Sequence, residues 1–406
     1  MWAKPGRFRR FLVASAVSSL GDGLLITGLP LLARRTTTDP LVLSGVYAAG
    51  RIPWALALVL GSFVDRRDAR KAMVFSDLIR AVVLGLLGLY LVVASDPLPV
   101  WALLLLAVVL SVGSIVFFAS TQRAVPALVD PADLEAANGA LTATVSAGEQ
   151  FIGPPMGALF ITGGKIPVLG DAVSFALSAA VLAGLPPIPP APTSSTLRED
   201  VRMGRSWFKS SPIIRRLTEL NTWVAFLTSG VLATEVVLVR DTLGLSDIWF
   251  GVFTAVLAAG AIVGSSLASR VIRALGESAF AASLVVGAIA YLACAGSRSP
   301  VLVFVAMFFQ QAATMVGVVS SVSIRQRVIP PALRGRVISL TRSYAYGSQI
   351  VGALAGGWMA KRYGTDSVFF AAAALILIGV MIGTRSLRRL IRANPAALGT
   401  QASTRS

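Results

Sequence analysis

Apolar blocks of about twenty residues recur from Phe11 to Gly383, separated by short polar punctuation. A helix crossing the hydrocarbon core of a bilayer needs roughly 20 such residues. The blocks therefore predict a bundle of transmembrane helices near residues 11–33, 41–63, 72–94, 99–120, 139–162, 167–189, 217–239, 247–269, 278–296, 300–323, 336–360 and 365–385. Only 14% of the chain is charged and 55% is hydrophobic, too little charge to cover a soluble surface of this size. The first block follows Arg7, Arg9 and Arg10 and runs to Ala33 without a small-residue cleavage site, so it reads as a span that is kept.

The net charge of +17 is unevenly spread. With the N-terminus inside, the segments assigned to the cytoplasm hold 26 of the 36 Lys and Arg residues, and the outer loops hold seven. This is the positive-inside pattern. It places both termini on the cytoplasmic side of a bacterial inner membrane and predicts contact with anionic lipid there, not nucleic acid. The chain has no histidine and one cysteine, Cys294. Cysteine- or histidine-built metal sites and an intramolecular disulfide are therefore excluded, and proton chemistry falls to carboxylates. No nucleophile–base pair and no phosphate-cradling glycine loop is present, so no enzyme activity, cofactor or ATP drive is expected.

The spans fall into two related sets. Gln122-Arg123, Pro126, Gln150, Gly153 and Gly157 in the first are answered by Gln326-Arg327, Pro330, Gln349, Gly352 and Gly356 in the second, offset by 204 residues at the Gln-Arg pair and 199 on the helix. Such parallel six-helix repeats are a construction of alternating-access transporters. The predicted organisation is an N-terminal six-helix half at 1–190, a cytoplasmic linker at 191–212, a C-terminal half at 213–392 and a disordered tail at 393–406. Within the linker, Leu197 to Lys209 alternates basic residues with Val201, Met203, Trp207 and Phe208, suggesting a short helix on the inner leaflet.

Between the second and third spans runs Gly61-Ser-Phe-Val-Asp65-Arg66-Arg67-Asp68-Ala-Arg70-Lys71. It resembles the cytoplasmic loop signature of the major facilitator superfamily, in the place where that family carries it. Asp68 departs from the usual glycine. The resemblance implies an all-α membrane protein of twelve helices in two pseudo-symmetric halves, with Gly61, Asp65, Arg66, Arg67, Arg70 and Lys71 forming a cytoplasmic gate whose receiving helix begins near Gly335-Arg336. The fifth span holds a second likeness. Gly148, Gly153, Pro154 and Gly157 resemble the superfamily motif associated with exporters, especially drug–proton antiporters. Leu20-Gly21-Asp22-Gly23 and Asp171-Ala-Val-Ser-Phe175 look like the bacterial drug, siderophore and macrolide exporter branch.

Ionisable residues at membrane depth cost several kcal/mol and are functional candidates by default. Here they are Glu149, Asp22 and Glu235, with Arg51 as a counter-ion for Asp22 or for an anionic substrate, and Gln310 and Gln311 as cavity hydrogen-bonders. Asp77 and Arg80, spaced i,i+3, are expected to pair with each other or with the gate. Asp171 is expected to cap its helix, and Glu235 has Arg240 as a potential partner. The resulting expectation is a monomeric, proton-coupled exporter of a small hydrophobic or amphipathic compound. Uptake or uniport by the same fold, or a non-transporting receptor or scaffold, are the alternatives.

Overall fold

The computed structural model describes residues 5–93, 98–162, 166–190, 197–330, 333–384 and 389. These residues form helices and connecting turns, with no strand among them. In chain order the helices are α1 (Pro5–Thr36), α2 (Pro40–Ala55), α3 (Ala57–Asp65), α4 (Ala69–Val93), α5 (Val100–Leu128), α6 (Leu134–Ser146), α7 (Gly153–Thr162), α8 (Ile166–Ala183), α9 (Leu197–Ser210), α10 (Pro212–Val237), α11 (Asp247–Leu275), α12 (Ala279–Cys294), α13 (Pro300–Val328), α14 (Arg334–Tyr363) and α15 (Thr365–Gly379). Single π-helical turns join α6 to α7 and extend α10 and α15. The tail at 393–406 and linker residues 191–196 lie outside the described residues.

Among the described residues seven helices are each long and apolar enough to cross a membrane, and the α2–α3 pair, bent by 55°, passes the same test when taken together. The bend follows Pro53, whose ring removes a backbone donor and breaks the helical ladder. Each predicted span coincides with a helix or joined helix pair; α8 and α12 are shorter apolar rods, and α14 is a 30-residue rod. Local sequence sets several starts. Pro40 and Pro300 open α2 and α13, while Asp39 accepts from Leu41 N–H and Ser299 from Leu302 N–H. Gly364, at φ 83°, ends α14 in a conformation that L side chains resist.

The chain divides into two compact units, residues 1–194 with 236–255, and residues 195–235 with 256–406. In the first, α1 packs along α7 and α8, α4 along α8, and α2 along α5. The π turn after α10 belongs to this unit. Arg34 at the end of α1 pairs with Asp241, Arg35 lies 3.4 Å from Asp247, and Arg240 lies 2.8 Å from Asp247. In the second unit, α12 packs along α13 and α15.

Both units carry a helix seam made of glycine. In the first, a Cβ on Gly23 of α1 would come 2.9 Å from Gly153 Cα, and Gly157 abuts Leu24 and Thr27. In the second, a Cβ on Gly230 of α10 would come 3.0 Å from the Gly352 carbonyl and 3.3 Å from Gly356 Cα. The positions matched in the sequence repeat are therefore those where two backbones touch, a contact that any side chain would push apart.

The linker helix differs from its expectation. Gly204 of α9 is buried against the backbone of Arg336, and Trp207 and Phe208 pack onto a cluster of Ile214, Ile329 and Val337. Part of the apolar side of α9 is thus covered by its own unit, while Met203, Arg202, Arg205 and Lys209 are exposed.

Candidate functional site

The centre of the first unit is built around an arginine. Arg80, on α4, is fully buried, with one face against the ring of Phe175 at 4.2 Å and Phe117 at 5.6 Å. Gly113 on α5 makes the space for it, because a Cβ there would meet Arg80 Cδ at 2.7 Å. The guanidinium donates to Asp22 Oδ1 at 2.9 Å, to Ser18 Oγ at 3.3 Å and to Asp77 one turn earlier on its own helix. Ser114 also donates to Asp22 Oδ1, at 2.8 Å. Asp171 completes the group from α8, in electrostatic range of Asp22 and Arg80. Two carboxylates therefore share one guanidinium, with a third in its field, in a low-dielectric interior where the attraction is strong and an uncompensated charge is costly.

This arrangement corrects two expectations. Arg51 is not the counter-ion of Asp22; its guanidinium lies 4.7 Å over the ring of Tyr47 and donates to the Tyr47 hydroxyl at 2.9 Å, while Arg80 takes Asp22. One turn of helix separates Arg51 from Tyr47, so the local partner wins. Asp171 is not a cap. Its helix begins at Ile166 with Pro167 in the first turn, which leaves Asp171 in the second turn, 3% exposed. The expected Asp77–Arg80 pair is present, and Arg80 also reaches out to α1.

Glu149 sits on the π turn Ala147–Ile152 that interrupts the fifth span. This turn lies against α1: a Cβ on Gly23 would come 2.5 Å from the Gly148 carbonyl and 2.9 Å from the Glu149 carbonyl. Glu149 feels the charges of Asp22 and Arg51, so three of the candidates fall within one electrostatic neighbourhood. Gly148, Gly153 and Gly157 set the distance between α1 and the fifth span, and the Pro154 carbonyl accepts from Thr27 Oγ1 at 2.7 Å. Single π turns inside helices are found disproportionately at functional positions.

The loop signature is tied into the first unit. Asp68 accepts from Lys71 N–H at 2.9 Å and from Ile188 N–H at 3.1 Å. Arg70 donates to the Leu185 carbonyl at 3.0 Å, and Arg67 stacks 4.2 Å over Phe63. Arg123, outside the signature, donates to the carbonyls of Val64, Arg67 and Pro189. The aspartate standing where the superfamily has glycine thus has a task, anchoring the loop to the chain after α8. Asp65 closes α3 in the electrostatic field of Arg123. Gly61 has open space around its Cα, and Arg66 is exposed beside it.

Elsewhere the candidates separate. Glu235 on α10 is 7% exposed, and its Oε1 has no hydrogen-bond partner. Arg240 pairs with Asp247 instead of Glu235. Gln310 is buried and donates to the Tyr291 hydroxyl at 2.9 Å and to Thr314 at 3.0 Å, bracing α13 against α12, while Gln311 is half-buried. Among the described residues no cluster of metal-ligating side chains occurs. The sequence signalled the Asp77–Arg80 spacing but not that Arg80 is the hub, since Asp22 and Ser18 reach it from α1 only through packing.

Residues 4–400 match the family model described as transmembrane secretion effector. BacE of Bacillus subtilis, a protein named for export of bacilysin, is 30% identical over 268 residues, which span 64% of this chain and 65% of that protein. The matched region is thus just under two thirds of the relative's length. A bacterial homologue of the human lysosomal transporter Spinster superposes with a TM-score of 0.76 at 13% identity, covering 97% of this chain and 98% of that one. The nucleoside transporter NupG gives 0.75 at 14% identity, covering 94% and 99%. With the fold and the family model in agreement, the chain is a transporter of the major facilitator superfamily and belongs to its transmembrane secretion effector family.

Proposed function

We propose that this transporter is a proton-coupled exporter of a small hydrophobic or amphipathic compound, and that Glu149 is the carboxylate that exchanges the proton. The supporting observation is the position of Glu149. It lies on an irregular turn pressed against α1, beside an interior where Asp22, Asp77 and Asp171 already compete for Arg80. Burial penalises the charged form of a carboxyl group, and neighbouring acids add to the penalty. A carboxylate in such a place is suited to take up a proton in one state and release it in another. Arg80 holds Asp22 and Asp77 in fixed pairs, whereas Glu149 is in no ion pair among the described residues and lies on the irregular turn against α1.

Export of an antibiotic-like metabolite agrees with the name of the BacE relative and with the fifth-span glycine-proline motif. The proposed setting is a bacterial inner membrane with both termini in the cytoplasm, which agrees with the distribution of Lys and Arg.

The test is made in inside-out vesicles with an acidified lumen and a pH-sensitive dye. A transported compound should partly collapse the gradient in wild-type vesicles, and Glu149→Gln should lose that response while its folded yield is unchanged. Wild-type efflux by Glu149→Gln removes Glu149 from the coupling step. Accumulation of a compound without any pH response points to uniport.

A further inference from the structure

The second unit contains a cleft with no counterpart among the candidate residues. It holds roughly 570 Å³ of space, open at one side, between α9, α10 and α14. One wall is Phe208 and Tyr344, their rings 6.0 Å apart; the other is Trp223 and Phe226, stacked at 6.0 Å. The walls are fixed from behind. Trp223 Nε1 donates to the Leu375 carbonyl at 3.2 Å, and Phe208 is held by the docking of α9. A volume of this order suits a drug-sized molecule, and aromatic walls with a few polar groups are the usual lining of such a site.

The repeat shows what distinguishes this cleft. The 199-residue offset that carries Gly153 and Gly157 onto Gly352 and Gly356 carries Glu149 onto Ser348. Ser348 lines the cleft, its hydroxyl donating to the Thr222 carbonyl at 3.0 Å. Where the first unit holds an acid, the second holds a neutral hydroxyl facing open space.

The mouth of the cleft is basic. Arg215 lines it together with Glu219, whose carboxylate is shared between Arg216 at 2.8 Å and Arg215 in a longer ion pair at 4.0 Å. Arg325 lies nearby. Asn221 of α10 donates to Ser321 of α13, and one turn further along α13 brings Arg325 level with Leu217 and Thr218, in agreement with the packing of Leu217 on Ile324 and Val328. Arg325 Nε is buried with no hydrogen-bond partner, and its charged neighbour is Arg342. Neither arginine pairs with a carboxylate among the described residues. Arg215 and Arg216 thus share the single carboxylate of Glu219, with Arg325 and Arg342 close to each other on α13 and α14.

We propose that this cleft binds a small amphipathic anion, with its apolar or aromatic body between the two ring pairs and its acid group at Arg215, in the field of Arg325 and Arg342. Guanidinium groups suit carboxylate, sulfonate and phosphate oxygens alike. The site goes beyond the proton-coupled reading, because it concerns binding and needs no transport.

The experiment uses purified protein in phosphatidylcholine nanodiscs and the fluorescent anion anilinonaphthalene sulfonate. Wild type should show a saturable component that Arg215→Gln weakens roughly tenfold, a loss of about 1.4 kcal/mol, and that Arg215→Lys largely retains. Ser348→Trp, which fills the cleft, should abolish it. Tyr344→Ala, at an exposed position, should weaken it if Ser348→Trp fails to fold. Glu149→Gln should bind as wild type, so this test stands apart from the proton assignment. The proposal is overturned if neutral anilinonaphthalene binds as well as the sulfonate, or if Arg215→Gln and the cleft variants leave the saturable component unchanged. Complete displacement of the probe by phosphatidylglycerol in the nanodisc overturns it too, because the cleft is then a lipid site.

Discussion

The Arg80 guanidinium reaches from α4 to Asp22 on α1 at 2.9 Å while also holding Asp77 on its own helix. One cation thereby fixes the level of two spans, and Gly113 and the rings of Phe117 and Phe175 leave it nowhere else to go. Replacing it with glutamine leaves buried Asp77 and half-buried Asp22 without their cation. Breaking a buried pair in this way costs about 3–5 kcal/mol. Arg80→Gln should therefore lower the thermal midpoint of the detergent-solubilised protein sharply, and adding Asp22→Asn should recover part of the loss. A midpoint equal to wild type in the single variant would mean the network contributes nothing to folding.

The glycine seams make a paired prediction. Gly153→Leu and Gly356→Leu insert side chains where the opposing backbone is already in contact, so both should reduce the yield of monodisperse protein. Overpacking of this kind costs about 1–3 kcal/mol or more. Gly139→Ala, with nothing within 4 Å of its added Cβ, should be neutral or slightly stabilising. Equal behaviour of the three on size-exclusion chromatography would show that the seams are not tight.

Thr27 tests the seam more gently. Its hydroxyl is buried and donates to the Pro154 carbonyl at 2.7 Å, across the contact between α1 and the fifth span. Thr27→Val keeps the shape and removes the bond, which should cost about 1 kcal/mol of stability. The same change combined with Gly153→Leu should be non-additive, because both act on one contact.

Arg123 closes the loop signature from outside it. Arg123→Gln loses donors to the carbonyls of Val64, Arg67 and Pro189. Faster amide hydrogen exchange should follow at residues 64–71 and 185–190, with the helices on either side unchanged. Asp68→Asn should produce a smaller effect at the same segments, through weaker acceptance from Lys71 and Ile188 N–H. Unaltered exchange in both variants would leave the loop held by packing alone.

Much of the fold was legible in the chain because the solvent imposes it. A helix in lipid must be about twenty residues long and apolar, so each span announces itself locally. The repeat was legible because close helix contact requires glycine at fixed places, and Gly153, Gly157, Gly352 and Gly356 are where the seams lie. The contacts of the linker helix were not legible, because an amphipathic pattern records that one face is covered without recording by what. Lipid and a neighbouring helix satisfy Trp207 and Phe208 equally well, and the structure supplies the helix.

The partners of the charges belonged to another class of information. Sequence alone placed Asp22, Glu149 and Glu235 inside spans and made them costly, and paired Asp77 with Arg80, because burial depends on position along a helix of known length. Which acid meets which base depends on the rotation of five helices about their axes, and no local pattern encodes that rotation. Packing decided it. Arg80 took Asp22, Arg51 turned to Tyr47, and Asp171 came to the same centre from a helix far along the chain. The aromatic cleft beneath α9 likewise exists only where three helices diverge, so it appears in the tertiary structure and nowhere earlier.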